Sequence, residues 1–256
     1  MIKADRSKNL NNDSRNNSII NIKGSIKTNK RRFLCCFGGR YTTKSNEFAI
    51  DEKDKSFDCN ETGETDLICR NGSSFNEYLL PPQCPLLSGR NSLVIDLDET
   101  LVHSSFKPFP FADFVISVET DGESQTIFVA KRPFVDLFLE RMHALFECIL
   151  FTASLQQYAD LVANKLSNHF HLRLFREACL CRNGIYIKNL SILGRSLSKL
   201  AIIDNSPACY SLHPHNAIPV NSWFDDPNDT ELLDILPYME KIAIANDIRI
   251  IISCEM

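Results

Sequence analysis

Residues 93–108 read LVIDLDETLVHSSFKP, an apolar run driven straight into Asp96, Asp98 and Glu99. Residues two apart on an extended chain point the same way, so Asp96 and Asp98 can face one substrate while Leu97 turns toward protein. Two carboxylates this close resist ionising together, which favours different protonation states unless a cation intervenes. That is an arrangement for a nucleophile beside an acid. A carboxylate nucleophile suits phosphoryl transfer, because an aspartyl-phosphate divides the reaction into two steps. An anionic phosphate must then be brought against an anionic carboxylate, which calls for a hard divalent ion and a positive side chain. Asp204, Asn205 and the Asp98 carbonyl can supply oxygens to magnesium, and Lys188, in IYIKNL, is a candidate for the positive charge. Thr152 and the amides opening the next helix could hold phosphate oxygens.

Each of these residues also has an ordinary reading. Asp-x-Asp after a strand can be an N-cap and turn, Thr152 a loop hydroxyl, Lys188 a solvated charge, and Asp204-Asn205 a turn ahead of Pro207. Their joint placement argues for chemistry. Three apolar runs end in polar triplets, namely Asp96-Leu97-Asp98, Thr152-Ala153-Ser154 and Asp204-Asn205-Ser206. Glu99 reads as a turn or surface acid, and Thr100 as a hydroxyl locking that turn.

The elements that must position these groups are legible as patterns. SLVID, ECILF and KLAIID are short apolar runs typical of strands buried on both faces. PFVDLFLERMHALF has helical spacing, and LQQYADLVANKL predicts an amphipathic helix with Ser154 as its N-cap. Buried strands alternating with helices imply an α/β fold with a central parallel sheet and helices on both faces, whose ligands sit beyond the carboxyl ends of the strands. ADFVISVETDGESQTIFVAKR is two alternating runs around Asp121-Gly122, the signature of an inserted β-hairpin at about 113–131.

The 256 residues, 44% of them hydrophobic, suffice for one core and a tail. Charge is unevenly divided: residues 1–50 hold eleven Lys and Arg against three acids, a balance of +8, which leaves −12 for the rest of a chain at −4. Residues 1–75 are rich in Asn, Ser and Lys and then in acids, a composition expected of a disordered tail. The folded domain is expected over 76–256, led in by the proline-bearing YLLPPQCPLL, where a helix is blocked. Within the tail, the island KRRFLCCFGGR at 30–40 carries two open readings. One is membrane contact through acylated Cys35 and Cys36 beside a polybasic cluster; the other is a nuclear-import patch with two ordinary thiols. No run approaches the eighteen or so apolar residues of a membrane helix, and the N-terminus lacks the apolar core of a signal peptide, so the expected location is nucleus or cytoplasm. The ten cysteines are read as free thiols.

DLDET with FTAS, YIKNL and IIDNSP resembles the haloacid dehalogenase superfamily. DLDETLVHSSFKP, KRPFVDLFLERM, LFECILFTASL, LFREAC and NSWFDDPNDTELLDILP are similar to the small phosphatases that act on the C-terminal domain of RNA polymerase II. The resemblance covers residue 78 to the C-terminus. It implies a Rossmann-like three-layer sandwich, magnesium dependence and a protein serine/threonine phosphatase that removes phosphate from phosphoserine, with phosphothreonine a weaker expectation. It makes Asp96 the nucleophile and Asp98 the general acid and then base. Asn205 becomes a magnesium ligand beside Asp96 and the Asp98 carbonyl, with Asp204 supporting the metal. Thr152 and Lys188 would stabilise the transferring group, and Arg176 would lie near the substrate phosphate. Phe106, Val118, Ile127, Leu155 and Tyr158 together resemble the family's apolar pocket for a proline near the phosphoserine, although for Val118 taken alone core packing is the favoured reading. Asn189 and Thr120 depart from the family pattern, the latter bearing on substrate preference. The expected partner is a phosphoprotein, with no direct nucleic-acid contact. A small-molecule phosphatase of the same superfamily and a catalytically weak phosphoprotein adaptor are the alternatives. The first usually carries a cap domain where this chain has only the hairpin, and the intact Asp96, Asp98, Lys188 and Asn205 argue against the second.

Overall fold

A computed structural model describes residues 78–120, 123–166 and 169–255. The tail read over residues 1–75, its island at 30–40 with Cys35 and Cys36, and the Asp121-Gly122 turn lie outside the described residues, as does the side chain of Thr120.

Three apolar runs form the heart of a parallel sheet: β1 (Ser92–Ile95), β5 (Glu147–Phe151) and β9 (Leu200–Asp204), with every residue buried. The edges are β6 (Leu172–Leu174) and β10 (Ala217–Pro219), giving the order β10-β9-β1-β5-β6. Successive strand residues face opposite ways, so the sheet separates two cores. Leu93, Ile95, Leu150 and Ile203 point into the larger one, whereas Val94, Ile149, Phe151 and Ile202 point into the smaller.

The larger core is closed by helices. In α1 (Val135–Leu145), Val135, Phe138, Leu139 and Met142 fall on one stripe at helical spacing, and α2 (Gln156–Lys165) buries Tyr158, Ala159, Val162 and Ala163. After the short α3 (Glu231–Asp234), α4 (Leu236–Ala243) and α5 (Ile248–Glu255) add Met239, Ile242, Ile248 and Ile252 to the same core. The third layer, over the smaller core, is built of loop and 3₁₀ residues such as Leu80, Leu190, Leu193 and Tyr210. Among the described residues no helix is long and apolar enough to cross a membrane.

The site's location follows from the strand order. The chain leaves β1 for β5 on one side and later returns to β9 on the other, so a crevice opens at the carboxyl end of β1. The register aligns Ile95 with both Leu150 and Ile203, which brings the residues that follow to one level.

Two antiparallel ribbons frame this crevice. β3 (Phe114–Thr120) and β4 (Glu123–Lys131) are the expected hairpin, but β2 (Val102–Ser105) joins them, making a three-stranded sheet of order β2-β4-β3. The sequence reading leaves both β2 and the second ribbon unassigned. That ribbon pairs β7 (Leu180–Arg182) with β8 (Ile185–Ile187) across Asn183-Gly184, at φ 52° and 77°. Two successive positive φ values are what a tight two-residue hairpin turn requires, and Asn-Gly is the pair that adopts them most readily. Arg132 ties these parts together from a fully buried position. Its guanidinium reaches Asp229 twice at 2.8 Å, Glu231 at 2.6 Å and the Thr100 carbonyl at 3.2 Å.

Candidate active site

Asp96 leaves the end of β1 with its amide bonded to the Ile203 carbonyl at 3.0 Å, and so stands beside Asp204. Lys188, placed directly after β8, inserts a fully buried ammonium between them. Its Nζ lies 2.6 Å from Asp96 Oδ1 and 2.6 Å from Asp204 Oδ2. Burial works against the Lys188 charge, but Asp204 and then Asp96 outweigh it and hold the proton above the ordinary lysine range. The Asp96 carboxylate therefore has a permanent cation on one oxygen. Its other oxygen, Oδ2, accepts from the Thr100 hydroxyl at 3.0 Å.

Asp98 sits in different surroundings. Ser154 Oγ donates to its Oδ2 at 2.6 Å and the Tyr158 hydroxyl to its Oδ1 at 2.5 Å. Burial, then the charge of Glu99, push its carboxyl up to about 7, with Asp96 adding to the rise and the two hydroxyl donors opposing it. A carboxylic acid near neutrality can give up and retake a proton within one catalytic cycle. The two aspartates thus differ in partners.

Ser154 is the correction to the expected helix cap. The N-cap of α2 is Leu155, without a side-chain bond, and the Ser154 hydroxyl goes to Asp98 instead. Removing it should raise the Asp98 pKa further, because a donor to the carboxylate favours the charged form. For a group acting as an acid, activity falls as pH rises through its pKa. In Ser154→Ala, the alkaline limb of kcat/KM against pH is therefore expected to move up by about one pH unit, the worth of one hydrogen bond to a charged group. An unmoved or lowered limb would contradict this.

Glu99 is a turn residue, at φ 58°, but not a surface one: it is 3% exposed and paired with His103 at 3.2 Å. Thr152 follows β5, buried, and its Oγ1 accepts the Ser154 amide at 3.1 Å, which leaves its own proton to donate into the crevice. Arg176 is held against the same loop through Nε to the Ala153 carbonyl at 2.6 Å and stacks over Tyr186.

The donor set suits a hard cation served mainly by oxygen. The Thr100 hydroxyl lies within reach of both Asp96 Oδ2 and Asn205 Oδ1, at 3.0 and 3.3 Å, so these oxygens converge on one small region. With its carboxylate occupied by Ser154 and Tyr158, Asp98 can offer its carbonyl, and the Asn205 amide nitrogen is anchored on Ser222 at 2.8 Å. Few protein oxygens, with the remainder left to water and phosphate, is the pattern that fits magnesium. Asp204 does not belong among direct ligands. Its Oδ2 is given to Lys188 and its Oδ1 to the Ser206 amide at 2.8 Å, so it positions the lysine.

The five expected pocket residues are dispersed. Ile127 and Val118 are closed inside the larger core at 0% and 3% exposure, because they lie on the inward face of the β3–β4 ribbon. Tyr158 is buried and serves Asp98, with Ser104 against its hydroxyl at 2.5 Å. Phe106 and Leu155 alone among the five present surface.

A family model described as NLI interacting factor-like phosphatase matches residues 91–249. The human CTD small phosphatase-like protein is 57% identical over 174 residues, which cover 67% of this chain and 63% of that protein. The mouse carboxy-terminal domain RNA polymerase II polypeptide A small phosphatase 2 is 47% identical over 227 residues, covering 85% of this chain and 82% of that protein. Among solved structures, the fission yeast RNA polymerase II CTD phosphatase Fcp1 superposes with a TM-score of 0.46 at 20% identity, covering 60% of this chain and 50% of that one.

Proposed function

The chain belongs to the NLI interacting factor-like phosphatases, and from that premise we propose that it hydrolyses phosphoserine in polypeptides, in Ser-Pro contexts such as the C-terminal domain of RNA polymerase II. The observation that carries this reading is the contrast between the two aspartates. Asp96 lies against the Lys188 ammonium, whereas Asp98 is held by the Ser154 and Tyr158 hydroxyls in a buried setting that pushes its carboxyl up.

Asp96 attacks phosphorus, and the bond from phosphorus to the seryl oxygen breaks as Asp98 gives that oxygen its proton. Water then attacks the aspartyl-phosphate while Asp98 takes a proton from it, which releases phosphate and restores both carboxyls. Lys188 and Thr152 face the transferring group, and Arg176 stands near the substrate phosphate. Asp96, Asn205 and the Asp98 carbonyl would hold magnesium, which supplies positive charge against the phosphate oxygens when bound. The domain spans residues 76–256, and nuclear action follows from the polymerase substrate.

Phosphate release from a Ser-Pro phosphopeptide should require magnesium and stop with a chelator. Its kcat/KM should exceed that of the Pro→Ala peptide, since a proline ring enters an apolar surface with little entropy to lose. Leu155→Ala should shrink that ratio without slowing p-nitrophenyl phosphate hydrolysis. Metal-independent release, or equal kcat/KM for both peptides, would count against the reading.

A further inference from the structure

A groove of about 410 Å³ opens between residues 109–113 and 223–227. Phe109, Phe111, Pro133 and Trp223 give it aromatic and prolyl walls, and Asp113 and Asp225 place two carboxylates on it. The lining's own cation, Lys131, is already paired with Asp136. Asp113 accepts a backbone amide, from Lys131 at 2.7 Å, and the Asp225 carboxylate has no partner among the described residues.

Both walls are tied to the chain that carries the catalytic acids. The Trp223 amide donates to the Glu99 carbonyl at 2.8 Å, and its indole to the Asp226 carbonyl at 2.8 Å. Phe224 meets His103 edge-on at 5.4 Å, and His103 lies 6.2 Å from Phe109. Ser222, one residue before Trp223, holds the Asn205 amide. The groove is therefore a fixed extension of the candidate site.

Aromatic faces, prolyl edges and an unmatched negative charge form the complement of a long aliphatic stem ending in a cation. Such a stem lies along apolar surface while its head reaches π faces and carboxylates. We propose that this groove binds a Lys or Arg side chain of the substrate polypeptide, at a distance from its phosphoserine. The assignment to a substrate rests on the phosphatase reading above; the chemistry of the groove does not. A basic residue set apart from the phosphoserine along the chain then becomes a second determinant of specificity beside proline.

Trp223 is the chain's one tryptophan and lines the groove, so its fluorescence reports occupancy without any turnover. The full-length protein is titrated with unphosphorylated Ser-Pro peptides that differ only in carrying Lys, Ala or Glu outside the Ser-Pro pair, the position being scanned. The Lys peptide at its best position is expected to bind about fivefold to tenfold more tightly than its Ala counterpart, and the advantage should fade with salt. Asp225→Lys should erase the advantage and Phe111→Ser reduce it, with p-nitrophenyl phosphate hydrolysis unchanged in both. The matching phosphopeptides should show the same order in kcat/KM. Equal affinity for all three peptides, or an advantage that survives Asp225→Lys, would overturn the proposal. Trp223 emission that ignores the peptides but shifts on adding salt alone would place the chain's own basic residues in the groove, and would likewise overturn it. Intact titrations with no phosphopeptide turnover would sink the phosphatase reading while still supporting a cation-binding groove.

Discussion

Asp96→Asn is expected to fold normally and to lose turnover by on the order of 10⁴-fold or more, the scale on which removal of a covalent nucleophile acts. The amide is nearly isosteric with the carboxyl, and its oxygen can still accept from Lys188 where Asp96 Oδ1 does at 2.6 Å. Thr100 now donates to Oδ2; in the variant its hydroxyl can accept from the new NH₂ and turn its proton to Asn205 Oδ1, already 3.3 Å away. Each polar contact thus has a replacement, so the melting temperature should stay within about 5 °C of wild type. An amide cannot become an aspartyl-phosphate. Loss of activity with retained stability therefore separates chemistry from packing.

Lys188→Met should damage both. Breaking a buried ion pair by removing one partner costs about 3–5 kcal/mol, because a charge is left uncompensated. Here two carboxylates, Asp96 and the fully buried Asp204, would lose their common cation. For a domain of this size, a fall in melting temperature of about 6–20 °C follows at neutral pH. The sign of its pH dependence is specific. Burial already pushes Asp204 up while Lys188 works against that rise, so without the lysine the folded-state pKa climbs further above its unfolded value. A raised carboxyl pKa destabilises the folded state above it, and the penalty disappears once both states are protonated. The stability gap to wild type should therefore narrow as pH falls from 8 toward 5. Turnover should drop by about 10²–10³-fold, as when one charge-stabilising donor is removed from a site. A gap that widens on acidification would contradict the assigned pairing.

The candidate cluster is legible because it hangs on strand ends. Asp96, Thr152 and Asp204 each terminate an apolar run, and parallel register does the rest, with Ile95 beside Leu150 and Ile203. Lys188 was found by motif alone, although Asn183-Gly184 signals the hairpin that delivers it to the crevice. Contacts between distant elements were the harder part. Ser154 has the composition and position of a helix cap, and only the approach of the β1 loop to α2 turns its hydroxyl toward Asp98. Alternation along the β3–β4 ribbon shows that Val118 and Ile116 share a face, but not that this face closes on the core, so Ile127 reads as pocket lining and Val118 joins that set although core packing suits it better alone. Glu99 looks like a surface acid until the positive φ and the His103 contact are seen. The groove at Trp223 joins segments more than 100 residues apart, and no local pattern marks such a pairing.

The most direct measurement is chemical trapping of the intermediate. Wild-type protein turning over a phosphopeptide with magnesium is quenched and treated with borohydride, which reduces an acyl-phosphate to an alcohol, and is then mapped by peptide mass spectrometry. Homoserine is predicted at position 96, absent without phosphopeptide and absent in Asp96→Asn. Homoserine at position 98, or none anywhere during demonstrable turnover, would contradict the central claim that Asp96 carries the phosphoryl group.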